Sequence, residues 1–118
     1  MAFQRFEDII AWQKAQDYGV LIYKLYDEKR DFSYKNQICS AVVSISNNIA
    51  EGFDRSSNAE FKRFLYYSLG SCSEVKSMLY LGQRLNYITL DELNLCIENG
   101  NEISKIIRGL IKSLKPKQ

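Results

Sequence analysis

The sequence holds one proline, Pro116, close to its end, so nothing before that residue locks φ and removes a backbone N–H from a helix interior. Long helices are permitted almost throughout. Four successive segments use that freedom, each repeating apolar or small residues at steps of three and four.

The first segment, about 7–26, places Ile9, Trp12, Ala15, Gly19, Ile22, Tyr23 and Tyr26 on one wide face. The run Asp27-Glu28-Lys29-Arg30-Asp31 is charged at every position and reads as a solvated link. A second helix is predicted over about 32–53, with Ile38, Val42, Ile45 and Ile49 as its buried stripe and Gly52 with Asp54-Arg55-Ser56-Ser57 as its exit. Ser57-x-x-Glu60 is a capping box that opens a third helix over about 57–86, whose seam is Phe61, Phe64 or Leu65, Ser68, Cys72, Val75, Leu79 and Gly82. Within it, Ser68-Leu69-Gly70-Ser71-Cys72-Ser73 is so poor in bulk that a neighbouring backbone is expected to approach closely. Asn86-Tyr87-Ile88 turns the chain, and a second box, Thr89-x-x-Glu92, starts the last helix, about 90–114, with its seam at Leu93, Cys96, Gly100, Ile103, Ile107, Leu110 and Leu114. Four helices with short links predict one domain over 1–118, all-α, an antiparallel up-down four-helix bundle.

A chain of 118 residues has material for one core. Its 46% hydrophobic and 25% charged residues are ordinary globular usage, which excludes a disordered or membrane class. The first eight residues turn acidic at Glu7-Asp8 before an apolar run develops, so no signal peptide is expected there, and the cytoplasm is the expected compartment. Cys39, Cys72 and Cys96 are odd in number and lie inside helical patterns, which favours small core residues over a disulfide framework or a zinc knuckle.

Histidine is absent, and with it the commonest general base, the usual metal ligand and the Glu-x-x-His pairs of di-iron bundles. No Gly-rich phosphate loop, nucleophile elbow or paired-cysteine motif is present. An oxygen-only cage from Glu51, Glu74 and Glu98 is the one metal site the residues suggest, and it lacks the several convergent carboxylates such a cage needs. We therefore expect no enzymatic centre, no metal, no cofactor and no small-molecule substrate.

Two clusters are candidates for binding. In Asn47-Asn48-Ile49-Ala50-Glu51-Gly52, polar residues fall where the helical pattern predicts partial burial, and Ser44, Asn48, Glu51 and Arg55 share a face. Asn47, Asn48, Glu51 and Arg55 read either as a hydrogen-bonded network that fixes helix register or as a ligand or subunit contact. Beyond Glu102 the chain has no acid, while Lys105, Arg108, Lys112 and Lys115 repeat at helical spacing. Such lysines complement a helix C-terminus, and on a ring of subunits they would join into a belt able to contact phosphates. Tyr66, Tyr67, Tyr80 and Tyr87 are more aromatic surface than so small a core encloses, which points to a subunit interface.

The residues also resemble a known family, bacterial four-helix-bundle proteins found as reading frames inside intervening sequences of large-subunit ribosomal RNA genes. The resemblance is carried by Phe6-Glu7-Asp8-Ile9-Ile10-Ala11-Trp12-Gln13-Lys14-Ala15, Gln37, Ser44-Ile45-Ser46-Asn47-Asn48-Ile49-Ala50-Glu51-Gly52, Arg55-Ser56-Ser57, Glu60-Phe61-Lys62-Arg63-Phe64-Leu65 and Gly70-Ser71-Cys72-Ser73-Glu74. It implies an up-down bundle, assembly into a homopentamer and no known enzymatic activity. A related branch, the accessory variability determinant of diversity-generating retroelements, is similar in fold, strongly basic, and works with a reverse transcriptase and RNA; this chain departs from it with a net charge of only +2. Where the family often has a proline after the serine-isoleucine pair and a second glycine in the exit turn, Ser46 and Asp54 stand here.

The leading reading is a non-enzymatic homo-oligomeric bundle whose ring presents basic and aromatic residues to an RNA or ribonucleoprotein partner. The alternative is a protein–protein interaction scaffold with no nucleic-acid ligand.

Overall fold

In the computed structural model, which describes residues 3–114, the apolar stripes become four helices: α1 (Ile10–Leu25), α2 (Phe32–Phe53), α3 (Asn58–Arg84) and α4 (Leu90–Ser113). The first starts later than the periodicity predicts. Phe6–Asp8 forms a separate 3-10 turn, and Ile9 is extended (φ −78°, ψ 120°), so α1 begins only at Ile10. The turn is held because Phe6 meets Trp12 edge-on at 5.3 Å and the Gln13 side chain donates to the Glu7 carbonyl at 2.8 Å.

Each helix packs its backbone against its neighbours in chain order, α1 with α2, α2 with α3, α3 with α4, and α4 back to α1, and among the described residues the diagonal pairs meet only through side chains. That cycle of four, elongated to 52 × 22 × 19 Å, is the bundle the seams predict. Its core draws on every helix, with Ile22, Ile38, Ile45, Ile49, Leu65, Val75, Leu79, Ile103 and Ile107 essentially dry. Cys39, Cys72 and Cys96 are free and buried. On α4 the buried positions near the end are Ile111 and Leu114, while Leu110 is only partly buried at the edge of the core.

The two capping boxes come out differently. Thr89 accepts from the Glu92 amide at 3.1 Å while Glu92 accepts from the Thr89 amide at 2.8 Å, a complete box. Ser57 accepts from the Glu60 amide at 3.2 Å, but the Glu60 carboxylate turns outward to grip Arg63 through two 3.0 Å contacts, so that box is only half made.

Gly52 has a role other than the expected exit. It is buried inside α2, without the left-handed backbone of a helix-ending glycine, and a Cβ there would lie 2.5 Å from the Cβ of Phe64 on α3. Within the small segment 68–73 the close approach falls at Ser68 and not at Gly70, which faces open space, and Gly52 adds a second point of close approach between the same helices. Nearby, the small Ser68 lets α3 come near enough to α2 for its hydroxyl to donate to the Ile45 carbonyl at 2.8 Å. Among the described residues the left-handed one is Asn86 (φ 63°), which closes α3: the Tyr87 amide reaches back to the Gly82 carbonyl at 2.8 Å.

Candidate functional site: the α3–α4 groove

Lys105 and Arg108 lie one turn apart on the α4 face that borders α3, and there they meet a cation absent from the sequence-based cluster, Lys76 of α3. The Lys76 ammonium donates to Asn101 Oδ1 at 3.2 Å, which fixes it across the mouth of a groove of about 380 Å³. Lys112 continues the exposed line one turn further, and Lys115 lies outside the described residues. Among the described residues none of Lys76, Lys105, Arg108 and Lys112 is in an ion pair, whereas Arg5, Lys14, Arg55 and Arg63 all are. Glu102, the last acid of the chain, points the other way, to Lys14 of α1 at 2.8 Å, and holds that ammonium above its usual range.

Beneath the cations the groove changes character. Its floor is the buried Tyr18 of α1, which crosses under α4 and donates to the Cys96 carbonyl at 3.0 Å. Gly100 makes this possible, because a Cβ there would fall 2.8 Å from the Tyr18 hydroxyl. Burial pushes the Cys72 thiol up, and the Ser104 hydroxyl and the Arg108 charge pull against it, which places both α4 residues over this cysteine. Sequence periodicity locates Lys105 and Arg108 but is blind to Lys76 and Tyr18, since each belongs to another helix.

The polar cluster at the end of α2 is not one network. Asn48 donates to the Ser44 carbonyl at 2.8 Å, and Arg55 donates to Glu51 at 3.0 Å, two separate local links along one helix. Asn47, Glu51 and Arg55 are exposed and only Asn48 is half-buried, so the expected burial fails for Asn47 and Glu51: the seam turns them just past the α2–α3 contact. Arg55 instead lies over the Phe64 ring, 4.6 Å from its centroid, with Arg63 at 5.2 Å from the same ring. The buried polar pair of the bundle is Ser46 and Ser68; Gln16 of α1 donates to the Ser46 hydroxyl at 3.0 Å.

Three of the four tyrosines stand outside the core, Tyr66 at 59%, Tyr67 at 47% and Tyr80 at 49% exposure. Tyr87 is half-buried and donates to Asp31 at 2.7 Å; that bond, with the Tyr34 amide on the other carboxylate oxygen, holds the Asp31 carboxyl below its usual range. Behind it lies a chain of hydroxyls that sequence reading missed, Tyr26 to Tyr34 at 2.9 Å and Tyr34 to the Met78 carbonyl, housed where Gly82 leaves space. A second, apolar groove runs between α1 and α2, with Val20, Tyr23 and Val43 on its walls. Among the described residues no group of three acidic or cysteine side chains converges to hold a metal ion, and Glu51, Glu74 and Glu98 stay apart. No described helix is long and apolar enough to cross a membrane.

Residues 7–109 match the 23S rRNA-intervening sequence protein family. Among solved structures, the chain is similar to a protein of unknown function from the S23 ribosomal protein family of Bacteroides thetaiotaomicron VPI-5482. The identity is 29%, the match covers 88% of this chain and all of that one, and the TM-score is 0.82. No curated protein matches the sequence. With 29% identity spread over the whole bundle and the family match running from the first turn into the last helix, the chain belongs to the 23S rRNA-intervening sequence protein family.

Proposed function

We propose that this protein is a non-enzymatic, cytoplasmic bundle that self-associates and binds the phosphate backbone of RNA along the α3–α4 groove. The observation that carries the reading is the meeting of Lys76, Lys105 and Arg108 from two helices with no carboxylate spent on any of them. A net charge of +2 gives little long-range attraction, so the binding rests on this local concentration of charge and on its repetition around an oligomer. The exposed Tyr66, Tyr67 and Tyr80 support the self-association, and the family likeness points to five copies.

Three phosphate contacts per subunit make affinity fall roughly twentyfold to fortyfold between about 50 and about 200 mM salt. Anisotropy titrations of a structured RNA test this, with Lys105→Gln/Arg108→Gln expected to weaken binding and flatten the salt slope. Binding that ignores both salt and the double substitution removes the reading. Native mass spectrometry tests the assembly, and monomers alone at micromolar concentration remove the belt. The apolar α1–α2 groove of Val20, Tyr23 and Val43 supports a second reading, a scaffold for a protein partner whose binding persists at high salt.

A further inference from the structure

The α3–α4 groove carries two layers of different chemistry. Its rim is cationic, and its floor is the Tyr18 ring with Ile97 beside it. Between them sit the hydroxyls and amide of Ser73, Ser104 and Asn101. A phosphate backbone alone needs only the rim, because a duplex keeps its bases stacked and offers its phosphates to cations. The floor needs another explanation. Tyr18 reaches this floor because residue 100 has no side chain to take its place, in a helix where every other turn of the seam is filled by leucine, isoleucine or cysteine. The space of about 380 Å³ lies within the ~300–1,000 Å³ of small-molecule sites, which likewise pair apolar walls with a few polar groups.

We infer that this slot receives one unpaired nucleotide of the bound RNA. Its phosphate rests on Lys76, Lys105 and Arg108, its base enters toward Tyr18 and Ile97, and Ser73, Ser104 and Asn101 meet the polar edge of the base. The protein therefore prefers loops, bulges or ends to uninterrupted duplex. A paired base cannot enter without leaving its stack, and recognition of RNA by unstacked bases against aromatic and apolar surfaces follows the same physics. The inference rests on the RNA reading above and adds the kind of RNA.

The test compares a hairpin with an unpaired loop and a blunt duplex of the same stem, both titrated by anisotropy at one salt concentration. The wild-type protein is expected to bind the hairpin roughly tenfold tighter, the gain typical of one base buried on a protein surface. Ser73→Phe, an exposed position at the slot mouth, is expected to bring the hairpin-to-duplex affinity ratio down to about one; Asn101→Trp blocks the slot from α4 if the first variant fails to fold. Lys105→Gln/Arg108→Gln is expected to weaken both RNAs. Equal affinity of the wild type for hairpin and duplex, or a hairpin preference that survives both blocking substitutions, overturns the slot and leaves backbone binding standing. Failure to bind either RNA, or indifference to the loss of the two cations, overturns the RNA reading and the slot with it.

Discussion

Replacing Gly52 by alanine pits two well-measured effects against each other. In the interior of a helix the exchange is ordinarily favourable by up to about 1 kcal/mol, because glycine loses more backbone freedom on folding. Here the new methyl would lie 2.5 Å from the Phe64 Cβ and 3.1 Å from Phe61 Cδ1, against the 3.4–4 Å of ordinary contact. The Phe64 Cβ is fixed to its backbone, so α2 and α3 must part by about 1 Å, disturbing the Phe53–Phe61 pair and the Arg55 guanidinium over Phe64. Overpacking of this kind costs about 1–3 kcal/mol, which leaves Gly52→Ala destabilised by about 1 kcal/mol after the gain in propensity. Gly70→Ala is the matched control, mid-helix and with nothing within 4 Å of the added carbon, and is expected to stabilise by up to about 1 kcal/mol. Urea unfolding of the two variants at a fixed protein concentration separates the signs, and each kcal/mol moves the thermal midpoint by about 3–5 °C in a domain of this size. If Gly52→Ala is as stable as the wild type with an unchanged slope, α2 and α3 do not press together at Gly52 and Phe64.

Tyr34→Phe strips the middle hydroxyl from the Tyr26–Tyr34–Met78 chain and leaves the Tyr26 hydroxyl without its partner, an expected loss of about 1–3 kcal/mol in denaturant unfolding. Thr89→Ala removes the hydroxyl half of the capping box and is expected to cost about 1 kcal/mol, with amide-exchange protection lost first in the opening turn of α4. Burial pushes the Cys96 thiol up to about 11 from an unfolded value of 9.0. A folded value above the unfolded one stabilises fully below pH 9 and is lost as pH climbs through about 11, so the urea midpoint should stay level near neutrality and fall on the alkaline side. Tyr18 and Tyr26, also raised by burial, steepen that fall. An alkaline midpoint equal to the neutral one would show these groups to be wet.

What the sequence discloses here is whatever repeats along one helix. Ile38, Val42, Ile45 and Ile49 announce α2 because their spacing is the helix period, and the cluster Lys105, Arg108 and Lys112 is legible for the same reason. What it hides is whatever depends on which helix lies alongside. Lys76 is an ordinary surface lysine until α4 brings Asn101 and Lys105 beside it, and Gly100 is a weak point in the seam until Tyr18 passes beneath it. The split of the Asn47–Arg55 cluster has the same origin, since a residue's face follows from its phase but its burial follows from how far the neighbour extends. Glu60 left its box for a different, local reason: Arg63, one turn on along the same helix, offers the carboxylate two charge-assisted bonds in place of one amide.

An apolar seam is nearly degenerate under a slide of one heptad, because leucine and isoleucine pack acceptably against leucine and isoleucine wherever they land. Ser46 and Ser68 break that degeneracy. Each is dry, each has a partner on a neighbouring helix, and the partners lie on opposite sides of α2, Gln16 reaching Ser46 from α1 and Ser68 reaching the Ile45 carbonyl from α3. Shifting α2 along α3 would strand the Ser68 hydroxyl in hydrocarbon, and shifting it along α1 would cost Ser46 its bond from Gln16 and leave it only the Val43 carbonyl of its own helix at 3.3 Å, so two of the smallest side chains in the protein favour one alignment among those the large ones would accept.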